Sequence, residues 1–238
     1  MQINCDLHVH SLRSTCGFHT FLEVVSIMKE RGLSAFALTD HGPVHDTPRA
    51  HFSVMLKRLP KVVQGLRVFK GIEATILSED GVLDLPEFAF GKPYECVLAG
   101  LHHYGDFESS RGIKANTRAV VNTIKNNPEV NIVSHPFFKS FPLDLDAVSD
   151  AACETGTALE INNSYLLTGK ADTDALHTLL EHAAEKGTLL SLDSDGHIFH
   201  EIGYFEQAID FLDDYDIEKL TIVNKTLEST LAFLGLDD

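Results

Sequence analysis

The 238-residue chain is short of positive charge: 19 Lys and Arg stand against 35 Asp and Glu, a formal charge of −16. Such a balance argues against a surface for nucleic acid or an anionic membrane. No apolar stretch approaches the ~20 residues that span a bilayer. The opening residues, Met1 to Asp6, lack a basic segment and a long apolar run, so no signal peptide is expected. Cysteine is sparse. Cys5, Cys16, Cys96 and Cys153 form no Cys-x-x-Cys pair and no dense framework, which reads as thiols in a reducing cytosol. Cys5, Cys96 and Cys153 sit among apolar residues and are expected to be buried. Internal repeats, low-complexity tracts and linkers are also missing. One domain over residues 1–238 is therefore expected, in the cytoplasm.

What is present is a 44% hydrophobic chain, long enough for a large core. Apolar, β-branched runs predict strands at Ile3–Val9, Ala35–Thr39, Arg67–Ile72, Cys96–Leu101, Val130–Ser134, Ala158–Asn162, Leu189–Asp193 and Leu220–Val223. Helical patterns fill most of the gaps, at Phe21–Arg31, Lys114–Asn126, Leu145–Glu154, Thr173–Lys186, Tyr204–Tyr215 and Lys225–Leu234. Strand and helix in alternation imply a parallel sheet with right-handed crossovers. Seven or eight such units predict a closed or nearly closed barrel, whose chemistry gathers at the C-terminal strand ends. The segment from Ser78 to Pro93 reads as a loop within the domain.

The predicted strand ends carry metal-capable side chains. In Asp6-Leu7-His8-Val9-His10, alternation puts both imidazoles on one face, with Asp6 behind them. Thr39-Asp40-His41, Gly71-Ile72-Glu73, Gly100-Leu101-His102-His103, Ser134-His135-Pro136 and Asp193-Ser194-Asp195-Gly196-His197 follow, while Glu160 and Asn162, in Glu160-Ile161-Asn162-Asn163, share a face at another strand end as pocket lining or strand-end capping. Two buried histidines on one strand face need partners, and a carboxylate inside a barrel needs a counter-charge or a metal. Of His102 and His103, one faces the site. Asp6, Asp40 and Asp193 are read as partners that orient ligand imidazoles. His177 and His182 are placed on the solvated face of a helix.

This series, in this order, resembles the PHP (polymerase and histidinol phosphatase) family, and most of all its stand-alone, YcdX-like phosphatase branch. The likeness covers essentially the whole chain. It implies an α/β fold, a distorted TIM-like (β/α)7 barrel, holding divalent metal ions, here three and foremost zinc, with manganese and iron as alternatives. His8, His10, Glu73 and Asp195 would hold the first ion. Glu73 would bridge to a second held by His102 and His135. A third would take His41, His197 and the residue at position 16, where relatives carry histidine and this chain has Cys16. A thiolate is a competent zinc ligand, and His19 is the alternative donor.

The implied chemistry is hydrolysis of a small phosphorylated metabolite. Metals acidify water and neutralise phosphoryl oxygens, so a hydroxide bridging two ions beside Glu73 and Asp195 is the expected nucleophile. Substrate contacts are sought in Arg13, His45, His51 and Asn162, with Arg111, Lys114, Arg118 and Lys139 as further cations at strand ends. Phe137 and Phe138 stand where relatives carry small residues, and would narrow the pocket or stack on a ring. Two rivals follow from the same residues: an amidohydrolase-like C–N or C–O hydrolase, which also begins with His-x-His in a barrel, and a catalytically silent metal-binding or sensing protein.

Overall fold

The computed structural model describes residues 1–45, 56–86 and 94–237. Its strands are β1 (Cys5–Val9), β2 (Ala35–Leu38), β3 (Val62–Val63), β4 (Leu66–Thr75), β5 (Cys96–Gly100), β6 (Ile132–Val133), β7 (Ala158–Asn162) and β8 (Leu190–Asp193). Its helices are α1 (Phe21–Glu30), α2 (Ile113–Asn126), α3 (Leu145–Thr155), α4 (Asn163–Leu167), α5 (Thr173–Lys186), α6 (Glu206–Leu212) and α7 (Leu227–Leu234). The sheet runs β1-β2-β4-β5-β6-β7-β8, and every neighbouring pair along that path is parallel. β3 is a short antiparallel addition to β4. This is the expected α/β, distorted (β/α)7 barrel.

The barrel closes by a seam rather than a full ladder. Val9 and Gly196 form an isolated parallel bridge, and the His10 N–H donates to Gly196 O at 3.0 Å. Lower down, Asn224 sews the edges together. Its amide donates to Cys5 O at 2.9 Å and to Leu192 O at 2.7 Å, while its oxygen accepts from Leu192 N–H at 3.0 Å. The predicted strand Leu220–Val223 is therefore reduced to a single bridge, Ile222 to Leu190. Its backbone still pairs with Leu190, whose N–H donates to Thr221 O at 2.9 Å and whose O accepts from Val223 N–H at 2.8 Å, but the ladder runs no further along β8.

The helices form where the sequence places caps. Asp144, Asp172 and Thr226 accept from backbone N–H groups at the starts of α3, α5 and α7, and Gly156 and Gly187 end α3 and α5 with left-handed backbone. Val24, Val25 and Met28 of α1 pack on Phe36, Leu38 and Val68. Helices α2, α3, α5 and α6 cover Val97, Ala99, Val133, Leu159 and Leu192 in a second cluster.

A third cluster, drawn from β2, β4, β5, β6 and β7, contains Ala35, Ala37, Phe69, Leu98, Ile132 and Ala158. Alternation then explains the site. Four positions beyond Phe69 comes Glu73, and four beyond Leu98 comes His102; two beyond Ile132 comes Ser134, and two beyond Ala158 comes Glu160. An apolar floor thus lies beneath a polar cup.

Two expectations fail on burial. Cys153 is exposed, its thiol donating to Lys186 O at 3.7 Å. His182 is buried against α3, with Nε2 3.0 Å from Asp150 Oδ1 and Nδ1 3.1 Å from Thr188 Oγ1. It lies three residues after Leu179, on the helix's packed face. His177 is exposed, as expected, and contacts the Tyr215 hydroxyl. Among the described residues no helix is long and apolar enough to cross a membrane.

Candidate metal centre

Four atoms from three strand ends converge at the cup's centre. His8 Nε2 lies 3.1 Å from His10 Nε2, 3.3 Å from Glu73 Oε2 and 3.4 Å from Asp195 Oδ1. His10 Nε2 lies 3.4 Å from the same Glu73 oxygen and 3.3 Å from the same Asp195 oxygen. A tetrahedral ion with ligands at ~2.0–2.1 Å requires its donors ~3.3–3.4 Å apart. The four imidazole–carboxylate pairs meet that spacing, and the two imidazole nitrogens stand slightly closer. The other Glu73 oxygen, Oε1, faces His102 Nε2 at 3.2 Å, His135 Nε2 at 3.0 Å and Ser134 Oγ at 2.9 Å. One carboxylate thus has a separate donor group on each oxygen.

A third group lies beside the first. The rings of His10 and His197 stack at 4.1 Å, and those of His10 and His41 lie 4.4 Å apart. Donor atoms of these three histidines all fall within 4.8 Å of one another. Cys16 contacts His197 and His41 and lines the same cavity. His19, the alternative donor, turns its ring toward Phe199 at 6.3 Å and does not line the cavity. All nine expected ligand residues are therefore brought together, with Cys16 in place of His19.

The surroundings fix which nitrogen each imidazole offers. His8 Nδ1 donates to Glu160 Oε1 at 2.6 Å, leaving the Nε2 lone pair for the cup. Ser14 Oγ donates to Asp40 Oδ1 at 2.8 Å and so accepts from His10 Nδ1, 3.2 Å away. His197 Nδ1 donates to Asp195 O at 2.9 Å. Such partners orient ligating imidazoles and raise their basicity. Asp40 acts here through Ser14. Asp6 and Asp193 do something else: they accept backbone N–H groups, Asp6 from Ser194 at 3.1 Å and Asp193 from Leu7 at 2.6 Å. They hold the seam, not an imidazole.

Glu160, expected only as pocket lining or a strand-end cap, is the residue that orients His8. Its second oxygen accepts from His135 N–H at 2.6 Å and Asn162 Nδ2 at 3.0 Å. His135 and Asp195 have positive φ, 36° and 50°. Backbone strain of this kind in non-glycine residues clusters at functional sites. Gly100 leaves the room that His135 needs: a Cβ there would meet Ser134 Oγ at 2.3 Å and the His135 ring at 2.8 Å.

Charge in the cup follows from proximity. Burial penalises the Glu73 carboxylate, yet His8, His102 and His41 hold it well below the usual carboxylate range. Burial likewise opposes ionisation of Asp195, and His8, His10 and His197 outweigh it to lower its pKa. Burial works against charge on His8, but Glu160, Asp195 and Glu73 raise it well above the ordinary imidazole value. His10 goes the other way, pushed well down by burial and by neighbouring His197 and His41. Burial raises the Cys16 thiol, but His197 and His41 bring it down to about 7. A thiolate is then available near neutral pH.

The cavity above the cup has a volume of about 360 Å³. Beyond the ligand set it is lined by His45, Ser164, Tyr165, Thr168, Lys170 and Glu201. Lys170, which no motif in the chain singles out, lies over the Tyr165 ring at 5.2 Å. Tyr165 in turn stacks flat on His135 at 4.7 Å.

Of the expected substrate contacts, His45 lines this cavity. Asn162 is fully buried, its amide donating to Asp195 Oδ2 at 3.1 Å and its oxygen capping Tyr165 N–H at 2.9 Å. It braces a ligand and does not face the open cavity. Arg13 donates to His41 O at 3.0 Å and is not among the cavity-lining residues. His51 lies outside the described residues. Arg111 and Arg118 pair with Glu79, and Lys139 donates to Gly169 O. Phe137 is core, and Phe138 packs behind Tyr165 at 4.8 Å rather than narrowing the pocket.

The PHP domain family model matches residues 6–221. A protein named "Probable phosphatase" from Syntrophotalea carbinolica is 38% identical, the match covering 100% of this chain and 98% of that protein. A second protein so named, from Caldanaerobacter subterraneus subsp. tengcongensis, is 33% identical over 98% of this chain and 92% of its own. Among solved structures, histidinol phosphate phosphatase from Lactococcus lactis, complexed with zinc, L-histidinol and phosphate, superposes with a TM-score of 0.61. It covers 89% of this chain and 93% of that one at 18% identity, a likeness of fold.

Proposed function

The chain belongs to the PHP domain family, and from that premise we propose that it is a metal-dependent phosphatase hydrolysing the phosphomonoester of a small metabolite at a three-ion centre. The observation that carries this reading is the set His8–His10–Glu73–Asp195, in which the two imidazole nitrogens stand 3.1–3.4 Å from each other and from an oxygen of each carboxylate. Lone pairs at that spacing repel unless a proton or a cation lies between them.

The donor chemistry fits d-block ions. Imidazole and carboxylate suit zinc, manganese and iron alike, and Cys16 tilts the third group toward zinc. His8, His10, Glu73 and Asp195 would hold the first ion, Glu73, His102 and His135 the second, and Cys16, His41 and His197 the third. When bound, these ions supply neutralisation of the phosphoryl oxygens and a water acidic enough to attack at neutral pH.

The protein's own groups do the rest. Glu73 divides its two oxygens between two donor groups and would so contribute to both the first and the second ion. Glu160 and Ser14 keep protons on the Nδ1 atoms of His8 and His10, so the Nε2 atoms stay free for ligation. Lys170, Ser164 and Thr168 stand across the cavity and bind the alcohol portion of the ester, while Tyr165 gives it an apolar wall. No side chain is phosphorylated. A cavity of about 360 Å³ admits a small ester and little more. An amidohydrolase-like reading loses its footing with family membership, and turnover itself separates an enzyme from a silent binding protein.

The test is phosphate release from sugar phosphates, nucleotides, histidinol phosphate and an aryl phosphate, before and after chelation. Turnover should vanish in metal-free protein and return with zinc. Full turnover without metal, or activity confined to lactones and amides, overturns the proposal.

A further inference from the structure

His45 lies outside the nine-residue set, yet the fold holds it firmly against that set. Its N–H closes a turn onto Gly42 O at 3.2 Å, and the Gly42 N–H donates to Glu73 O at 2.9 Å. Asp84 pins the same turn to β4. One of its oxygens accepts from Val44 N–H at 3.1 Å, the other from Thr75 N–H at 2.6 Å. Position 42 has no room for a side chain, because a Cβ would come within 2.3 Å of Asp84 Oδ2. The turn that bears His45 is thus tied to the strand that bears Glu73.

The imidazole itself is placed among ligands. Its ring stacks on His41 at 3.9 Å and 16°, meets His102 edge-on at 4.7 Å and rests against Tyr104 at 4.2 Å. Donor atoms of His41, His45 and His102 all lie within 4.8 Å of one another. His45 Nε2 is buried and finds no hydrogen-bond partner among the described residues. His41 Nδ1, in a side chain that is itself almost fully buried, is in the same position: Glu73 Oε2 is 2.9 Å away, but without hydrogen-bond geometry. Buried polar atoms left unpaired in this way call for an explanation, and an unseen ion is one.

We propose that His45 is a tenth metal ligand, which offers an imidazole beside His41 and His102 to the divalent d-block ion that His102 would hold at the mouth of the cup. Imidazole donors select zinc, cobalt or nickel over magnesium. The inference rests on the reading that the cup holds ions. It would add a nitrogen donor to Glu73, His102 and His135, the three residues that the expected ligand set gives that ion.

The experiment titrates zinc into metal-stripped, full-length protein against a chromophoric chelator, with cobalt(II) absorption as a second readout. His45→Ala and His45→Phe are compared with wild type, and exposed His103→Ala serves as control. Phenylalanine keeps a ring on His41 and Tyr104 but has no lone pair. In both His45 variants one dissociation constant should weaken by about tenfold or more, with the others within twofold and the cobalt spectrum altered. Wild-type constants in folded His45→Ala, or constants restored by His45→Phe, overturn the proposal; so does a fall in kcat/KM with metal binding unchanged, which would assign His45 to the substrate. All constants are read without substrate. Metal binding that depends on His45 in a protein without phosphatase activity would count against the proposed function alone, and active protein indifferent to His45 against this inference alone.

Discussion

Replacing Glu160 with Gln tests whether an unexposed carboxylate governs the metal centre from outside it. Glu160 accepts three hydrogen bonds: from His8 Nδ1 at 2.6 Å, from His135 N–H at 2.6 Å and from Asn162 Nδ2 at 3.0 Å. Glutamine has one acceptor oxygen and one NH2 group, so it cannot serve all three. With its oxygen toward His8, the NH2 faces two other donors and leaves the buried His135 N–H unpaired. That costs about 1–3 kcal/mol of stability, or about 2–4 °C of Tm per kcal/mol in a chain of this size. With the NH2 toward His8, the imidazole must move its proton to Nε2, the atom that faces the ion. Losing such an orienting partner weakens metal binding by about 10- to 100-fold, equivalent to about 1.4–2.7 kcal/mol. Zinc competition and thermal unfolding of the metal-free protein separate the two outcomes, and at least one should be seen. A Glu160→Gln protein with both wild-type zinc affinity and wild-type metal-free Tm refutes the assignment.

The remaining predictions concern protons, substrate and metal choice. In the metal-free protein, burial opposes charge on His41 and His197, but Glu73 and Cys16 raise His41 to about 10, and Cys16 and Asp195 raise His197 to about 9. Both folded values exceed the unfolded one, so their stabilisation is whole below ~6.5 and is lost as pH climbs through 9 and 10. Burial lowers His102 to about 4 and, with His41 and His102 adding to it, His45 to about 3, so these two cost stability as pH falls below ~6.5. Urea midpoints of metal-free protein should therefore peak near that pH, and zinc should flatten the alkaline arm; an arm indifferent to zinc contradicts ligation by His41 and His197. Lys170→Ala should raise KM about fivefold with kcat nearly unchanged, the loss of about 1 kcal/mol from one solvent-accessible charge contact; an unmoved KM removes Lys170 from substrate binding. Cys16→His should keep turnover and lower the zinc-to-manganese affinity ratio by about tenfold; an unchanged ratio means the thiol is not a ligand.

Much of this centre is legible in the chain because strand alternation and strand ends are local properties. Glu73 follows an apolar run that must be interior, and His8 and His10 differ by two positions on one strand. Glu160 lies at a strand end too, but nothing local separates a carboxylate that faces the donors of the cup from one that holds an imidazole in place behind them. Lys170 is invisible for another reason: the five-residue helix α4 carries the chain back across the cavity, a path set by Asn162 capping Tyr165 and not by any periodicity. The last strand shrinks to one bridge because its pairing passes from Leu190 to Asn4 and Cys5 within a few residues, with the Asn224 side chain joining both edges. His182 was readable, since it falls on the same helical face as Leu179, but its charge-bearing type suggested solvent.

Anomalous diffraction at the zinc edge, from crystals equilibrated with zinc, tests the central claim most directly. Three peaks are predicted inside the cup: one among His8, His10, Glu73 and Asp195, one beside Glu73, His102 and His135, and one at Cys16, His41 and His197. A cup without anomalous density, with zinc bound only at surface histidines, would contradict the account.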